Sequence, residues 1–158
     1  MRLPILDKLE KELMETKREL EVDIPAALKV ATAMGDLSEN AEYISAKERQ
    51  TFLQSRISQL QGRISNVMSI DIARLPRDRA GLGSRLVLKN LDTDEEKTYH
   101  LVFPEEVEPD HGKISPASPI GKSLVGKMEG DEVILSFAGS KNYFELIQLI
   151  TIHQDGLE

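Results

Sequence analysis

The sequence predicts an α+β chain: an N-terminal antiparallel α-helical coiled-coil hairpin followed by a small antiparallel β-sheet domain with a short helix. Three observations carry this expectation. Apolar residues in two stretches of the first 75 positions alternate at spacings of three and four. The two stretches mirror each other in index. Pro and Gly interrupt the first 75 residues only at Pro4, Pro25, Gly35 and Gly62, yet recur throughout the rest.

The first helix is drawn by Leu6, Leu9, Leu13, Thr16 and Leu20, the second by Leu53, Ile57, Leu60, Ile64 and Val67. This is the heptad seam of a coiled coil, a period that no strand shows. If the helices fold back on each other, facing residues keep a constant index sum. Leu6 with Val67, Leu9 with Ile64, Leu13 with Leu60, Thr16 with Ile57 and Leu20 with Leu53 all sum to 73. The register continues inward through Ala27 with Ala46 and Val30 with Tyr43, placing the turn between Asp36 and Leu37. Arms of roughly 30 residues reach about 45 Å at about 1.5 Å per residue, so the tip is expected to project well beyond any globular body. Pro25 removes one backbone hydrogen bond and is expected to kink the first arm.

The tip reads Met34-Gly35-Asp36-Leu37-Ser38-Glu39-Asn40-Ala41-Glu42. Two readings compete there. Gly35 suits a helix C-cap, and Asp36 with Glu39 three residues on resembles a capping box that opens the second helix. Alternatively, two neighbouring carboxylates on a promontory could offer oxygen ligands to a hard cation such as Mg2+, with a partner completing the shell.

The chain has 158 residues, 40% hydrophobic and 30% charged, which fits one or two small domains. The absence of Cys excludes disulfides, iron–sulfur clusters, thiolate zinc sites and a Cys nucleophile. His100, His111 and His153 lack metal-ligand spacing. The net charge of −7 argues against a general nucleic-acid binder. It is unevenly spread: residues 1–75 carry 11 Lys/Arg against 12 Asp/Glu, and residues 76–158 carry 9 against 15. No apolar run is long enough to span a membrane, so a cytoplasmic protein without a membrane partner is expected. The organisation read from these patterns is a hairpin over residues 1–75 with its acidic tip near 35–40, a linker over 76–83 and a sheet domain over 84–158.

The run Gly35-Asp36-Leu37-Ser38-Glu39-Asn40-Ala41-Glu42-Tyr43, with Lys47-Glu48 following, resembles the tip motif of the bacterial Gre transcript-cleavage factors, the GreA type in particular. Asn90-Leu91-Asp92-Thr93-Asp94-Glu95-Glu96, the run from Ser118-Pro119-Ile120-Gly121 to Lys127, and Gly130-Asp131-Glu132-Val133 resemble the C-terminal domain of the same family. The resemblance implies a hairpin inserted into the secondary channel of a backtracked bacterial RNA polymerase. Asp36 and Glu39 would then help position Mg2+ and a water at the polymerase active centre and stimulate cleavage of the nascent RNA 3′ end. The polymerase would be the enzyme and this chain its accessory. Family members commonly carry basic residues just before the tip Gly, where Thr32, Ala33 and Met34 stand here; strong RNA binding and long released fragments are accordingly not expected. A channel-occupying regulator without cleavage stimulation is the alternative, but such relatives usually have an altered acidic tip.

Arg49, Arg56 and Arg63 recur every seven residues on the second helix. Glu19 with Arg56 and Glu12 with Arg63 both sum to 75, one step off the seam, which predicts cross-helix ion pairs for those two. Arg49 faces Ala26 in that register and has no acid opposite. Arg49 and Lys47 are therefore the RNA-facing candidates.

In the second domain, residues 84–88, 97–103, 132–137 and 142–150 read as strands and 118–125 as a brief helix. The family resemblance implies a fold similar to the FK506-binding prolyl isomerases. With no Trp and few aromatic residues, a ring-lined proline pocket is not expected, and fold alone does not confer activity. Docking on the polymerase at the channel rim is the functional expectation, with Ser118, Pro119 and Ile120 as the contact residues. The acidic runs Glu95-Glu96 and 105–110 serve equally well as solvated loops.

Overall fold

The computed structural model describes residues 2–154. By its internal contacts the chain divides into two units, Arg2–Ile70 and the chain from Asp71 onward.

The first unit is the hairpin. Helix α1 spans Pro4–Arg18 and opens on a proline, whose missing N–H costs nothing in a first turn. A π-helical segment, Glu19–Asp23, leads directly into α2, Ile24–Thr32. Helix α3 runs over 28 residues, Ala41–Met68. Its inward edge is Ala46, Leu53, Leu60 and Val67, buried at strict heptad intervals, with Tyr43, Gln50, Ile57 and Ile64 half-buried between them. From the first arm Ile5, Leu6 and Leu9 are buried, and Leu13, Thr16 and Leu20 half-buried. The seam is thus made of the residues that the heptads indicate up to Leu20.

Beyond Leu20 the inward set moves by one residue. Ala27 and Val30 were expected to face inward, but both are exposed; Ile24 and Ala31 are buried and Leu28 half-buried. The π segment is the cause. It adds one residue to a turn, as its i→i+5 bond from Ile24 N–H to Glu19 O shows, and everything after it rotates out of the original phase. It also absorbs Pro25. The proline sits in the first turn of α2, and the backbone at Asp23 and Ile24 stays right-handed helical, so the expected kink takes the form of a change in hydrogen-bond pattern.

The ion pairs correct the expected partners. Arg49 Nε and Nη2 donate to the two carboxylate oxygens of Glu19 at 2.7 and 3.0 Å, and Arg56 Nε donates to Glu12 at 2.9 Å. Each arginine takes the acid assigned in sequence to the arginine one heptad further on, an index sum of 68 in place of 75. The helix ends keep the expected alignment, Thr32 closing α2 and Ala41 opening α3. Glu12 and Glu19 stand seven residues apart on the first arm, so an arginine beside the seam has acids a heptad apart to choose from, and the spacing of apolar residues does not select between them.

Hydrogen bonds from Arg49 hold the Glu19 carboxyl below the usual carboxylate range. A carboxyl lowered by folding adds stability above its unfolded pKa and loses it as pH falls through the folded one. Glu19→Gln should therefore reduce the acid sensitivity of the hairpin's helical circular dichroism. The difference from the parent should shrink in high salt, because the pair is solvent-screened.

The second unit holds a five-stranded sheet, with β1 Arg85–Asn90, β2 Glu96–Leu101, β3 Lys113–Ile114, β4 Glu132–Phe137 and β5 Ser140–Ile150, in the order β3-β2-β1-β5-β4. Three pairings are antiparallel as expected. The two-residue β3 runs parallel to β2, making the sheet mixed. Ala138 and Gly139 both take positive φ, joining β4 to β5 in the two-residue turn whose twist suits a hairpin. Alternation along the strands sends Leu86, Leu88, Leu101, Val133, Leu135, Phe144 and Leu146 into one core, closed by Leu124 of the short helix α4, Pro119–Leu124. No helix among the described residues is long and apolar enough to cross a membrane.

Candidate functional site

The far end of the hairpin is closed by residues 33–40. Ala33 caps α2, and Met34 N–H turns back onto Ala31 O at 3.0 Å. Gly35 follows with φ of 129°, a conformation that L side chains rarely adopt. Residues 34–39 are all exposed.

Asp36 is held by its own loop. The backbone N–H and the hydroxyl of Ser38 both donate to Asp36 Oδ1 at 3.0 Å. These bonds favour the charged carboxylate and keep its pKa below the usual range, the backbone bond contributing most. Asp36 is therefore an ionised, fixed carboxylate at neutral pH, with Oδ2 unengaged by these bonds.

The expected capping box is absent. Helix α3 starts at Ala41, and its N-cap is Asn40, whose Oδ1 accepts from Tyr43 N–H at 3.0 Å. Asp36 closes the small turn at Ser38 instead, because the loop takes up four more residues before the helix begins. Asp36 and Glu39 are thus both free of capping duty. Asn40 also donates from Nδ2 to Ala31 O at 2.7 Å, joining the two helix ends. Its N-cap identity was readable in sequence from an Asn directly before a helical run; its second bond was not.

The basic candidates separate. Lys47 is exposed, lies 5.9 Å from the centre of the Tyr43 ring and is 3.4 Å from Gln50 Oε1. Arg49, expected to lack an acidic partner, is bound bidentately to Glu19 and stacks 4.9 Å from the Phe52 ring. Its charge is already compensated.

In the second unit Ser118 is the N-cap of α4. Its hydroxyl accepts from Gly121 N–H at 3.0 Å and donates to Ser115 O at 2.6 Å, while Ser115 Oγ accepts from Ala117 N–H at 3.1 Å. Gly121 is required: a Cβ there would lie 2.0 Å from Ser115 O. Pro119 is exposed and Ile120 leans on the core. Of the three contact candidates, Pro119 therefore presents most freely.

With this geometry in place, comparison with known proteins decides the family. Residues 5–68 match the model of the transcription elongation factor N-terminal domain, and residues 75–149 that of the GreA/GreB C-terminal domain. The chain belongs to the GreA/GreB family of transcription elongation factors. It is 43% identical over 144 residues to the transcription elongation factor GreA of Desulfotalea psychrophila, covering 91% of this chain and 89% of the relative. It is 41% identical over 143 residues to GreA of Helicobacter hepaticus, covering 90% and 88%. Among solved structures it aligns with GreA factor homolog 1 of Thermus thermophilus at 24% identity and a TM-score of 0.43, over 92% and 94% of the two chains. In this GreA-type factor the acidic pair lies within the part of the chain that matches the N-terminal domain model.

Proposed function

We propose that this elongation factor enters the secondary channel of RNA polymerase with its hairpin and stimulates cleavage of the backtracked RNA 3′ end through Asp36 and Glu39. The observation that carries the reading is the tip itself: two exposed carboxylates, neither used as a helix cap, one of them ionised and fixed by Ser38. Their hard, anionic oxygens suit Mg2+, and two carboxylates are fewer than its octahedral shell needs. The remaining ligands would come from polymerase, RNA and water, so the donor set fits a site that a partner completes. An ion held there would supply water activation and stabilisation of the leaving oxygen of a phosphodiester.

This chain's residues then bind and orient. Asp36 presents Oδ2 while Ser38 restrains Oδ1, Glu39 offers the second carboxylate, and Lys47 supplies a positive charge toward the RNA. The Arg49 side chain is assigned to hairpin bracing in preference to RNA contact. Ser118 shapes the loop that Pro119 and Ile120 present to the polymerase at the channel rim. The phosphodiester cleavage belongs to the polymerase active centre, and the protein is its accessory.

The test is a stalled, backtracked complex of the host polymerase with labelled RNA, followed with and without the protein across a Mg2+ series. Faster release of short RNA fragments is expected. Binding that leaves cleavage unchanged or slower overturns the reading and makes the protein a channel-occupying regulator.

A further inference from the structure

We infer that Asn40 is the positioning residue of the tip, a single side chain that holds the end of α2 to the start of α3 and thereby sets the relative placement of Asp36 and Glu39. This deepens the cleavage reading and rests on it.

Residues 34–39 have no buried side chain to anchor them. Their hydrogen bonds are local: Met34 to Ala31, and Ser38 to Asp36. Among the described residues, the hydrogen bond that crosses from the start of α3 to the end of α2 is the one from Asn40 Nδ2 to Ala31 O, at 2.7 Å. The same amide takes Tyr43 N–H on Oδ1. One planar group thus serves both ends of the turn. It donates to a carbonyl at the C-terminus of one helix and accepts from an N–H at the N-terminus of the next, both groups that a helix end leaves without intrahelical partners. A carboxylate of the same length can only accept, and a hydroxyl is too short to span both. Asn is the side chain with both functions at this reach.

Consequently cap and clamp can be separated by substitution. Asn40→Asp retains the cap, since Asp serves there as well as Asn, but loses the donor and sets a negative charge against Ala31 O. Asn40→Ser also retains a cap, is neutral and does not reach Ala31, which controls for the extra carboxylate that Asp adds beside the acidic pair.

Three measurements apply to each variant: amide hydrogen exchange of residues 33–39 in the free protein, affinity for the polymerase, and cleavage stimulation across a Mg2+ series. Both variants are expected to keep helical content and polymerase affinity. Both are expected to exchange faster at the tip, to lose about tenfold in cleavage stimulation and to need more Mg2+ for half-maximal effect. Unchanged tip exchange overturns the inference, as does faster exchange with parental cleavage and Mg2+ dependence. A loss of cleavage that follows lost polymerase affinity overturns it too. If the parent protein itself gives no stimulation, the cleavage reading fails, and the exchange data still report on the clamp.

Discussion

Asp36→Asn combined with Glu39→Gln is expected to abolish cleavage stimulation, a loss of about a hundredfold or more, while binding to the polymerase persists. The fold gives this experiment its clarity. Had Asp36 capped α3, removing its charge would also have weakened the helix. The cap belongs to Asn40, and Asn at position 36 can still accept from Ser38 through its side-chain oxygen. The loop and both helices should therefore survive, with circular dichroism and thermal unfolding unchanged within experimental error. Fluorescence-monitored competition for the polymerase would report binding, and release of labelled RNA fragments would report stimulation. Parental cleavage by the double variant would remove the tip acids from the mechanism. Because Ser38 holds the Asp36 carboxyl below the usual carboxylate range, Asp36 stays charged on mild acidification. An acid limb of activity near neutral pH would have to come from another group.

The largest effect on stability is expected from Leu146→Ala. Leu146 has no exposed surface and lies on β5, the strand flanked by β1 and β4. Its backbone N–H donates to Asp131 O and its carbonyl accepts from Gly130 N–H, and on the other side Leu146 pairs with Leu88 of β1, so the backbone is held in the sheet and has little room to collapse into the space left. A cost of about 3 kcal/mol follows for a large-to-small change of this kind. Thermal unfolding of the sheet domain should fall by about 4–8 °C per kcal/mol. Val30→Ala is the informative comparison. The uninterrupted heptad places Val30 in the seam, but after the π segment it is 59% exposed. Its truncation should change stability by no more than about 0.5 kcal/mol, and a loss of core magnitude would contradict the phase shift.

The sheet domain shows how far patterning reaches. Apolar and β-branched runs located the strands at 84–88, 132–137 and 142–150, while the structure shows which face of each is buried: Leu86 and Leu88, Val133 and Leu135, and Phe144 and Leu146 lie in the core. The runs missed β3, whose two residues are too few to form one and whose pairing is with a distant strand. Likewise the tip acids were legible as a pair of neighbouring carboxylates, whereas the absence of capping duty was not. Whether Asp36 closes onto Ser38 or onto a helix N-terminus depends on how many residues the turn consumes. Asn40 passed unremarked for the same reason: its partner at Ala31 is nine positions away and becomes a neighbour only when the hairpin closes.

By itself the sequence determined the two-part organisation, the helical hairpin with its heptad seam up to Leu20, the acidic tip and the family. Each of these follows from a local period or a contiguous motif, and hydrophobic burial reads such periods directly. Tertiary structure alone decided the rest. The π segment at Glu19–Asp23 turned the seam by one residue, so Ala31 lies inside and Val30 outside. The arginines settled one heptad from their expected acids, which moved Arg49 from a free cation to a brace on Glu19. The physical reason is common to both: a repeating pattern of apolar and charged residues allows several phases and several ion-pair partners at nearly the same energy, and only the full set of contacts, caps and ion pairs selects one of them.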